Sequence, residues 1–230
     1  MCGRFAFYSP HEAVTRLFGV SDAPEVEPRY NIAPTQYVAA VRSDARDAAR
    51  RVAMLYWGLV PSWAKEKSIG ARMINARGET LREKPSFRSA YRRRRCLVLA
   101  DGYYEWQRAA GAKQPYFISF ADGQPFGMAG LWESWRDPGS GEALESCGIV
   151  TTTPSRSVAH VHDRMPVIVG RAHYDEWLDP RNEAVDRLDR LLAPCTSAAL
   201  QAVAVDRRVN DARNQGPDLV APLGSRGPGS

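Results

Sequence analysis

The chain has 230 residues, 44% hydrophobic and 25% charged, so it is long enough to bury a core and has the composition of a folded globular protein. It contains no apolar run long enough to span a bilayer and no charged-then-apolar leader, so we expect a cytoplasmic protein without a membrane partner. The net charge of +5 comes mostly from arginine, whose planar guanidinium suits phosphate, and this favours a polyanionic partner such as nucleic acid.

The chain begins Met1-Cys2-Gly3-Arg4, and removal of Met1 would leave a cysteine with a free α-amine and a thiol on adjacent carbons. That amine has a pKa of about 8, so a useful fraction is unprotonated at neutral pH. Such an amine condenses with an aldehyde to an imine, and the thiol can then close on the same carbon to form a thiazolidine. The alternative is that Cys2 is only a small residue at the start of a strand.

Short strands dominate the first two thirds of the chain. Cys2–Tyr8 is predicted as a strand, Ser9–Glu12 as the serine-capped start of a helix that continues to Phe18, and Arg29–Pro34 as an ordered loop. A strand that ends near Asn75 is predicted to lead into a helix. Further strands are predicted over residues 38–41, 52–57, 96–100, 116–120, 126–131, 146–151 and 200–205, and helices over 172–178 and 183–192.

The order of these elements predicts the fold class. Frequent short strands with interspersed helices, and no repeat or linker, predict a single α+β domain over residues 1–222. We expect a curved, mostly antiparallel, barrel-like β-sheet with flanking helices. Residues 223–230 are predicted to be a disordered tail, and a monomer is the default oligomeric state.

The other three cysteines offer no comparable chemistry. Cys96 and Cys147 lie in apolar segments, where cysteine is usually a small buried residue, and no two of the four cysteines have the spacing of a zinc site. We therefore expect no metal and no organic cofactor.

Three polar positions are candidates for proton transfer or substrate positioning. Glu105 lies between two aromatic residues, where desolvation would raise its pKa, unless it faces solvent on its strand. His160 and His162 are both candidate acids or bases, and residue patterns alone do not choose between them. Asn75 either positions a substrate oxygen or the Cys2 amine, or simply forms a turn.

Three arginines, Arg4, Arg77 and Arg164, each accompany one of these candidate groups. If the groups converge, the arginines form a phosphate-binding rim around the reactive amine. Trp63 and Tyr104 are candidate stacking surfaces for bases. The basic run over residues 88–95 is either a solvated helix end or an electrostatic approach surface for a polyanion.

Six motifs occur in order along the chain: Met1–Arg4, Asn31–Pro34, Trp57-Gly58 with Pro61 and Trp63, Ile74–Arg77 with Glu79-Thr80, Asp101-Gly102 with Glu105-Trp106, and His162–Pro166. Together they closely resemble the SOS-response-associated peptidase (SRAP) family, over about residues 2–222. The resemblance implies an abasic-site-processing protein whose substrate is the ring-opened aldehyde of an abasic site in single-stranded DNA.

The resemblance also implies a mechanism and a set of catalytic residues. After loss of Met1, Cys2 would form a thiazolidine with the sugar, a covalent DNA–protein crosslink that protects the lesion. The catalytic roles carry over to Cys2, Asn75, Glu105 and His162, and the family motif thereby selects His162 over His160. Autoproteolytic loss of Met1, a weak lyase side reaction and association with the nucleoid at damage are implied as well.

Two alternatives remain beside this interpretation. The first is a cysteine-dependent peptidase or amidohydrolase in which Cys2 pairs with His162. The second is a non-catalytic single-strand-binding module in which arginines and aromatic residues do all the work. The binding module predicts DNA affinity that Cys2→Ser leaves unchanged, with no covalent product.

Overall fold

The fold consists of short strands and a few short helices, as described by a computed structural model over residues 2–21, 23–43, 49–109, 112–195 and 200–224. Within this part of the chain the strands are β1 (Phe5–Phe7), β2 (Arg29–Ile32), β3 (Tyr37–Ser43), β4 (Arg50–Trp57), β5 (Asn75–Arg77), β6 (Arg95–Ala100), β7 (Gly102–Ala109), β8 (Ala112–Phe120), β9 (Phe126–Arg136), β10 (Ala143–Thr152), β11 (Met165–Pro166), β12 (Ile168–Val169) and β13 (Leu200–Ala204). The α-helices are α1 (His11–Phe18), α2 (Arg88–Arg93), α3 (Tyr174–Leu178) and α4 (Val185–Arg190).

Five strands close into a barrel, in the order β10, β4, β3, β6 and β9. The barrel closes because β9 and β10 pair with each other along a hairpin. All of these pairings are antiparallel except that of β10 with β4, which is parallel. Short β5 also runs parallel to β10, with Asn75 opposite Ile149, so Asn75 is held at the barrel wall.

A second, antiparallel sheet has the strand order β13, β8, β7, β1 and β2. Phe5 of β1 lies opposite Tyr103 of β7, and the backbone N–H of Tyr104 donates to the carbonyl of Arg4 at 2.9 Å. Since the two strands are antiparallel, the residues before β1 run alongside Glu105. The N-terminus is thereby carried to the side chains of β7.

The core lies inside the barrel and between the barrel and its neighbours. Every residue of β6 is buried, as expected for a barrel strand that is covered on its outer side as well. The covering element is α3, where the indole N–H of Trp177 donates to the carbonyl of Cys96 at 2.9 Å. Cys96 and Cys147 are both buried in this core, as their apolar surroundings predicted.

Three local predictions were wrong. Ser9 does not cap α1, because its hydroxyl and its backbone N–H both donate to the Asp101 carboxylate, and Pro10 takes the cap position. Residues Arg29–Ile32 form β2 rather than a loop, because they pair with β1. The segment after β5 is only a 3₁₀ turn over Gly78–Thr80.

The predicted fold class, a single α+β domain with a curved, largely antiparallel, barrel-like sheet and flanking helices, is confirmed. Met1, the 44–48 connection and residues 225–230 of the predicted tail lie outside the described residues. In the described ranges, no helix has the length and apolar character needed to cross a membrane.

Candidate active site

Cys2 is fully buried and is held by Asn75. The Asn75 side-chain Nδ2 donates a hydrogen bond of 2.7 Å to the backbone carbonyl of Cys2. The other amide atom, Asn75 Oδ1, is buried and accepts no hydrogen bond from the described residues. Asn75 therefore fixes the N-terminal backbone with one atom and keeps an acceptor for a further ligand.

Glu105 lies next to Cys2 on the second sheet. Its side chain is only 3% exposed, and this burial raises the pKa of the carboxyl above its usual value of 4.5, while the nearby His162 acts in the opposite direction. The Glu105 charge in turn acts on the Cys2 thiol, whose pKa is raised first by burial and then by this carboxylate. The charge of Glu105 therefore helps to keep the Cys2 thiol protonated.

His162 faces Glu105 across 3.8 Å, measured from His162 Nε2 to Glu105 Oε2. The other ring nitrogen, Nδ1, accepts a hydrogen bond of 3.0 Å from the backbone N–H of Arg164. Nδ1 also lies 3.0 Å from Asp163 Oδ1, a contact that requires the opposite proton placement, but Asp163 is 89% exposed and well solvated. We therefore assign the neutral tautomer with its proton on Nε2, which points at Glu105.

The four residues predicted to be catalytic come together, whereas the rival histidine lies outside the cluster. His160 is exposed, its ring meets the edge of Tyr116, and its backbone carbonyl accepts from Gln107 Nε2 at 2.9 Å. The choice of His162 that the family motif implied agrees with this placement.

Two of the three arginines of the predicted rim already bind other groups of the fold. Arg4 Nη1 donates to Asn31 Oδ1 and to the carbonyl of Val209, both at 2.7 Å, so Arg4 anchors the C-terminal segment. Arg164 forms a two-pronged ion pair with Glu79, and its Nη2 donates to the carbonyl of Thr151 at 2.7 Å.

The remaining predicted DNA contacts fall into exposed and buried groups. Arg77 is exposed, and Trp63 is 59% exposed in the loop after β4. Tyr104 is fully buried and its hydroxyl donates to the carbonyl of Tyr30 at 2.7 Å, so its prediction as a stacking surface was wrong. The cause is that the C-terminal segment, including Val209, covers this face of the sheet.

The basic run over residues 88–95 also divides into two parts. Arg95 is buried and donates to backbone carbonyls, including those of Trp177 at 2.6 Å and Tyr91 at 2.7 Å, so it holds the fold together. Arg88 and Arg92 are exposed. Only the exposed arginines are consistent with a solvated helix end or with an approach surface for a polyanion.

Asn31 is a structural residue whose role the sequence did not indicate. Its Nδ2 donates to the carbonyls of Asp211 and Asn214, both at 3.0 Å, while its Oδ1 accepts from Arg4. Gln215 completes the link because its Oε1 accepts from the backbone N–H of Asn31 at 3.1 Å. These contacts join segments about 180 residues apart in the chain, and only the motif position of Asn31 marked it in advance.

Comparisons with known proteins point to one family. The family model described as SOS response associated peptidase (SRAP) matches residues 1–212. Abasic site processing protein YoqW of Bacillus subtilis (strain 168) is 41% identical over 224 residues, covering 96% of this chain and 99% of the relative. Abasic site processing protein HMCES of Pongo abelii is 32% identical over 272 residues, covering 97% of this chain and 76% of the relative.

A crystal structure of a protein from Bacteroides thetaiotaomicron has the same fold. It superposes with a TM-score of 0.83 at 26% identity, covering 96% of this chain and 99% of the other. With the family model spanning nearly the whole chain and curated relatives matched over most of their length, this protein belongs to the SRAP family.

Proposed function

We propose that this protein processes abasic sites in single-stranded DNA and forms a covalent thiazolidine crosslink through Cys2 once Met1 has been removed. The observation that carries the proposal is the convergence on Cys2, where Asn75 holds the backbone and Glu105, backed by His162, acts on the thiol. The names of the relatives, abasic site processing proteins, support the substrate class.

The first step is imine formation. The open-chain sugar of an abasic site presents an aldehyde at C1′, which the neutral α-amine of Cys2 attacks to give a carbinolamine. Loss of water from this intermediate needs an acid. Glu105 suits this task, because burial raises its pKa and so increases its protonated fraction near neutral pH. The free Asn75 Oδ1 is a suitable acceptor for the amine or a sugar hydroxyl.

The second step is ring closure. Cys2 Sγ attacks the imine carbon, a C–S bond forms, and the C=N π electrons move to nitrogen, which takes up a proton. The thiol proton passes to the Glu105 carboxylate. His162 directs its Nε2–H toward that carboxylate, 3.8 Å away, and so stabilises its negative charge; we propose that His162 also serves in opening the sugar ring and in reversal of the link.

The same intermediates account for the side activities. An imine that fails to close permits β-elimination of the 3′ phosphate, which gives a weak lyase activity. Glu105 and His162 would also assist autoproteolytic removal of Met1. We propose a monomer that acts in the cytoplasm and is associated with the nucleoid when bound to damage.

The DNA contacts of this proposal differ in how much rearrangement they need. Trp63 and Arg77 are exposed, so a base can stack on the first and a phosphate can bind the second directly. Arg164 must share its guanidinium between Glu79 and a phosphate. Arg4 contributes positive charge near Cys2, because its Nη1 is already bound to Asn31 and Val209.

The peptidase alternative receives less support from the geometry. Activated cysteine nucleophiles have a lowered thiol pKa and a basic partner, whereas burial and Glu105 raise the pKa of Cys2. His162 Nε2 points at Glu105 rather than serving as the base of a Cys–His pair. In the crosslinking reaction the thiol attacks only after the imine has formed. A thiol that stays protonated before that step therefore fits crosslinking better than peptide hydrolysis.

The test is intact mass after incubation with a single-stranded oligonucleotide that carries one abasic site, without reductant. We expect an adduct with the mass of protein lacking Met1 plus DNA minus one water, absent from Cys2→Ala and from an oligonucleotide with no abasic site. A protein that has lost Met1 and binds the DNA without forming this adduct would refute the proposal.

A further inference from the structure

Tyr103 has a hydroxyl group that the fold leaves unused. The residue is fully buried, and its hydroxyl has no hydrogen-bond partner in the part of the chain that the structure describes. Other buried tyrosines do have partners: the Tyr91 hydroxyl donates to Asp189 Oδ1 at 2.6 Å, and the Tyr174 hydroxyl accepts from the backbone N–H of Gly127 at 3.2 Å. Leaving a buried hydroxyl unpaired costs free energy, so the exception at Tyr103 calls for a reason.

The position of Tyr103 gives a reason for the unpaired hydroxyl. Successive side chains of a strand alternate in direction, so Tyr103 and Glu105 of β7 lie on one face and Tyr104 on the other. The ionisable groups that act on the Tyr103 hydroxyl are Cys2, Glu105 and, more weakly, Cys195. Because Phe5 of β1 lies opposite Tyr103, the residues before β1 run along β7, and the unpaired hydroxyl lies on the face of Glu105, beside the segment that carries Cys2.

The timing of the chemistry gives the hydroxyl a partner during the reaction. A protonated thiol is a weak acceptor, and the buried Cys2 thiol is held in that form. A thiolate is a much stronger acceptor, because hydrogen bonds to ionised groups are about twice as strong as those between neutral groups. No hydrogen bond joins the two groups in this structure, so the contact would form as Cys2 loses its proton and Sγ turns toward the imine carbon.

We propose that Tyr103 is a positioning residue for ring closure, whose hydroxyl donates a hydrogen bond to Cys2 Sγ as that atom becomes a thiolate. The inference rests on the proposed function and adds a residue to it. During closure the thiol proton passes to Glu105, Sγ forms its bond to the imine carbon, and nitrogen takes up a proton, so no oxidant or reductant is consumed. Once the C–S bond has formed, the hydrogen bond to sulfur weakens again.

The test compares Tyr103→Phe with wild type and with Tyr91→Phe, which removes a hydroxyl that does have a partner. The reaction with an abasic-site oligonucleotide is sampled over time, with and without borohydride, which reduces an open imine but leaves a closed thiazolidine. Mass spectrometry of the digested N-terminal peptide separates the two products by two hydrogens. Imine formation and ring closure are thereby timed independently.

We expect Tyr103→Phe to form the imine at the wild-type rate and to close the ring about tenfold more slowly, the effect of losing one hydrogen bond to a charged group. The rise of the closure rate with pH should move to higher pH, because loss of the donor disfavours the thiolate. The unfolding temperature should equal or exceed that of wild type, whereas Tyr91→Phe should lower it and leave both chemical steps unchanged.

A closure rate in Tyr103→Phe equal to that of wild type would overturn the inference and leave the proposed function standing. A variant that loses stability and slows both steps together would also overturn it, since that result indicates a packing role. If wild type itself gives neither imine nor thiazolidine, the proposed function fails before any variant is compared.

Discussion

Asn75 Nδ2 donates a hydrogen bond of 2.7 Å to the backbone carbonyl of Cys2, and this contact joins the N-terminus to β5 of the barrel. Because β5 is itself paired with β10, the position of the reactive residue is set by the barrel wall. A hydrogen bond between residues 73 positions apart thus places an N-terminal nucleophile inside the fold.

Loss of the Asn75 donor should slow crosslinking more than it lowers stability. Asn75→Ala should reduce the rate about 10- to 100-fold, because the amine and thiol lose their fixed orientation. The free energy of unfolding should fall by only about 1 kcal/mol, the net contribution of one hydrogen bond. Single-turnover crosslinking rates and urea unfolding measure the two effects.

Asn75→Asp is the matched control, since it keeps the shape but replaces the donor with an acceptor. It should be slow as well, because a carboxylate repels the Cys2 carbonyl instead of binding it. Crosslinking by Asn75→Asp at the wild-type rate would show that shape alone matters at this position.

Glu105→Gln should abolish proton transfer and change how stability depends on pH. Burial raises the folded pKa of Glu105 above its ordinary value of 4.5, so the folded state holds this proton to higher pH than the unfolded state does. Glu105 therefore favours folding at low pH, and this contribution is lost as pH rises from about 4.5 through the folded pKa. Crosslinking should fall by about 10²- to 10⁴-fold.

The measurement for Glu105 is the free energy of unfolding of both proteins at a series of pH values from acid to neutral. The other carboxyl groups are the same in the wild-type protein and in Glu105→Gln. The difference in unfolding free energy between the two proteins therefore isolates the contribution of Glu105. The stability of the variant relative to wild type should rise with pH across this window. A constant difference would contradict the raised pKa.

The residues that sequence could predict are those whose chemistry is local to a motif. Cys2, Glu105 and His162 each sit in a short recognisable stretch, and the structure brings them together with Asn75. The fold class followed from the frequency of short strands. These features depend on neighbours in the chain, which a sequence displays directly.

The features that sequence missed depend on distant partners. Arg4 resembles a DNA contact until Val209, 205 positions away, is seen to accept its hydrogen bond. Tyr104 alternates with Glu105, which predicts opposite faces, but not that the C-terminal segment covers the second face as well. β2 exists because β1 pairs with it, although its own sequence resembles a loop.

Glu79→Gln should strengthen binding to single-stranded DNA. In the structure Glu79 accepts hydrogen bonds from Arg164 through both carboxylate oxygens, and this ion pair lowers the pKa of Glu79. Without the negative charge, Arg164 is available to a phosphate, so the affinity at low salt should rise about threefold and the salt slope should steepen by about one counterion. Fluorescence anisotropy over a series of salt concentrations measures both quantities.

Arg164→Gln supplies the opposite change and should weaken binding with a shallower salt slope. Cys2→Ala should be used as the background for both variants, so that no covalent product accumulates. Equal affinity of Glu79→Gln and the background protein would mean that Arg164 stays out of contact with DNA.

Arg95→Lys should destabilise the protein strongly without altering its chemistry. The buried guanidinium donates to backbone carbonyls of both α2 and the α3 region, including Trp177 at 2.6 Å and Asn182 at 3.0 Å, and burial lowers its pKa to about 10. Lysine is a point charge that cannot reach all of these carbonyls, so the free energy of unfolding should fall by about 3 kcal/mol. Arg92→Lys, on the exposed side of α2, should change it by less than about 0.5 kcal/mol. Urea unfolding compares the two, and crosslinking per folded molecule should match wild type in both. Equal stability of the two variants would mean that the Arg95 fork does not hold these segments together.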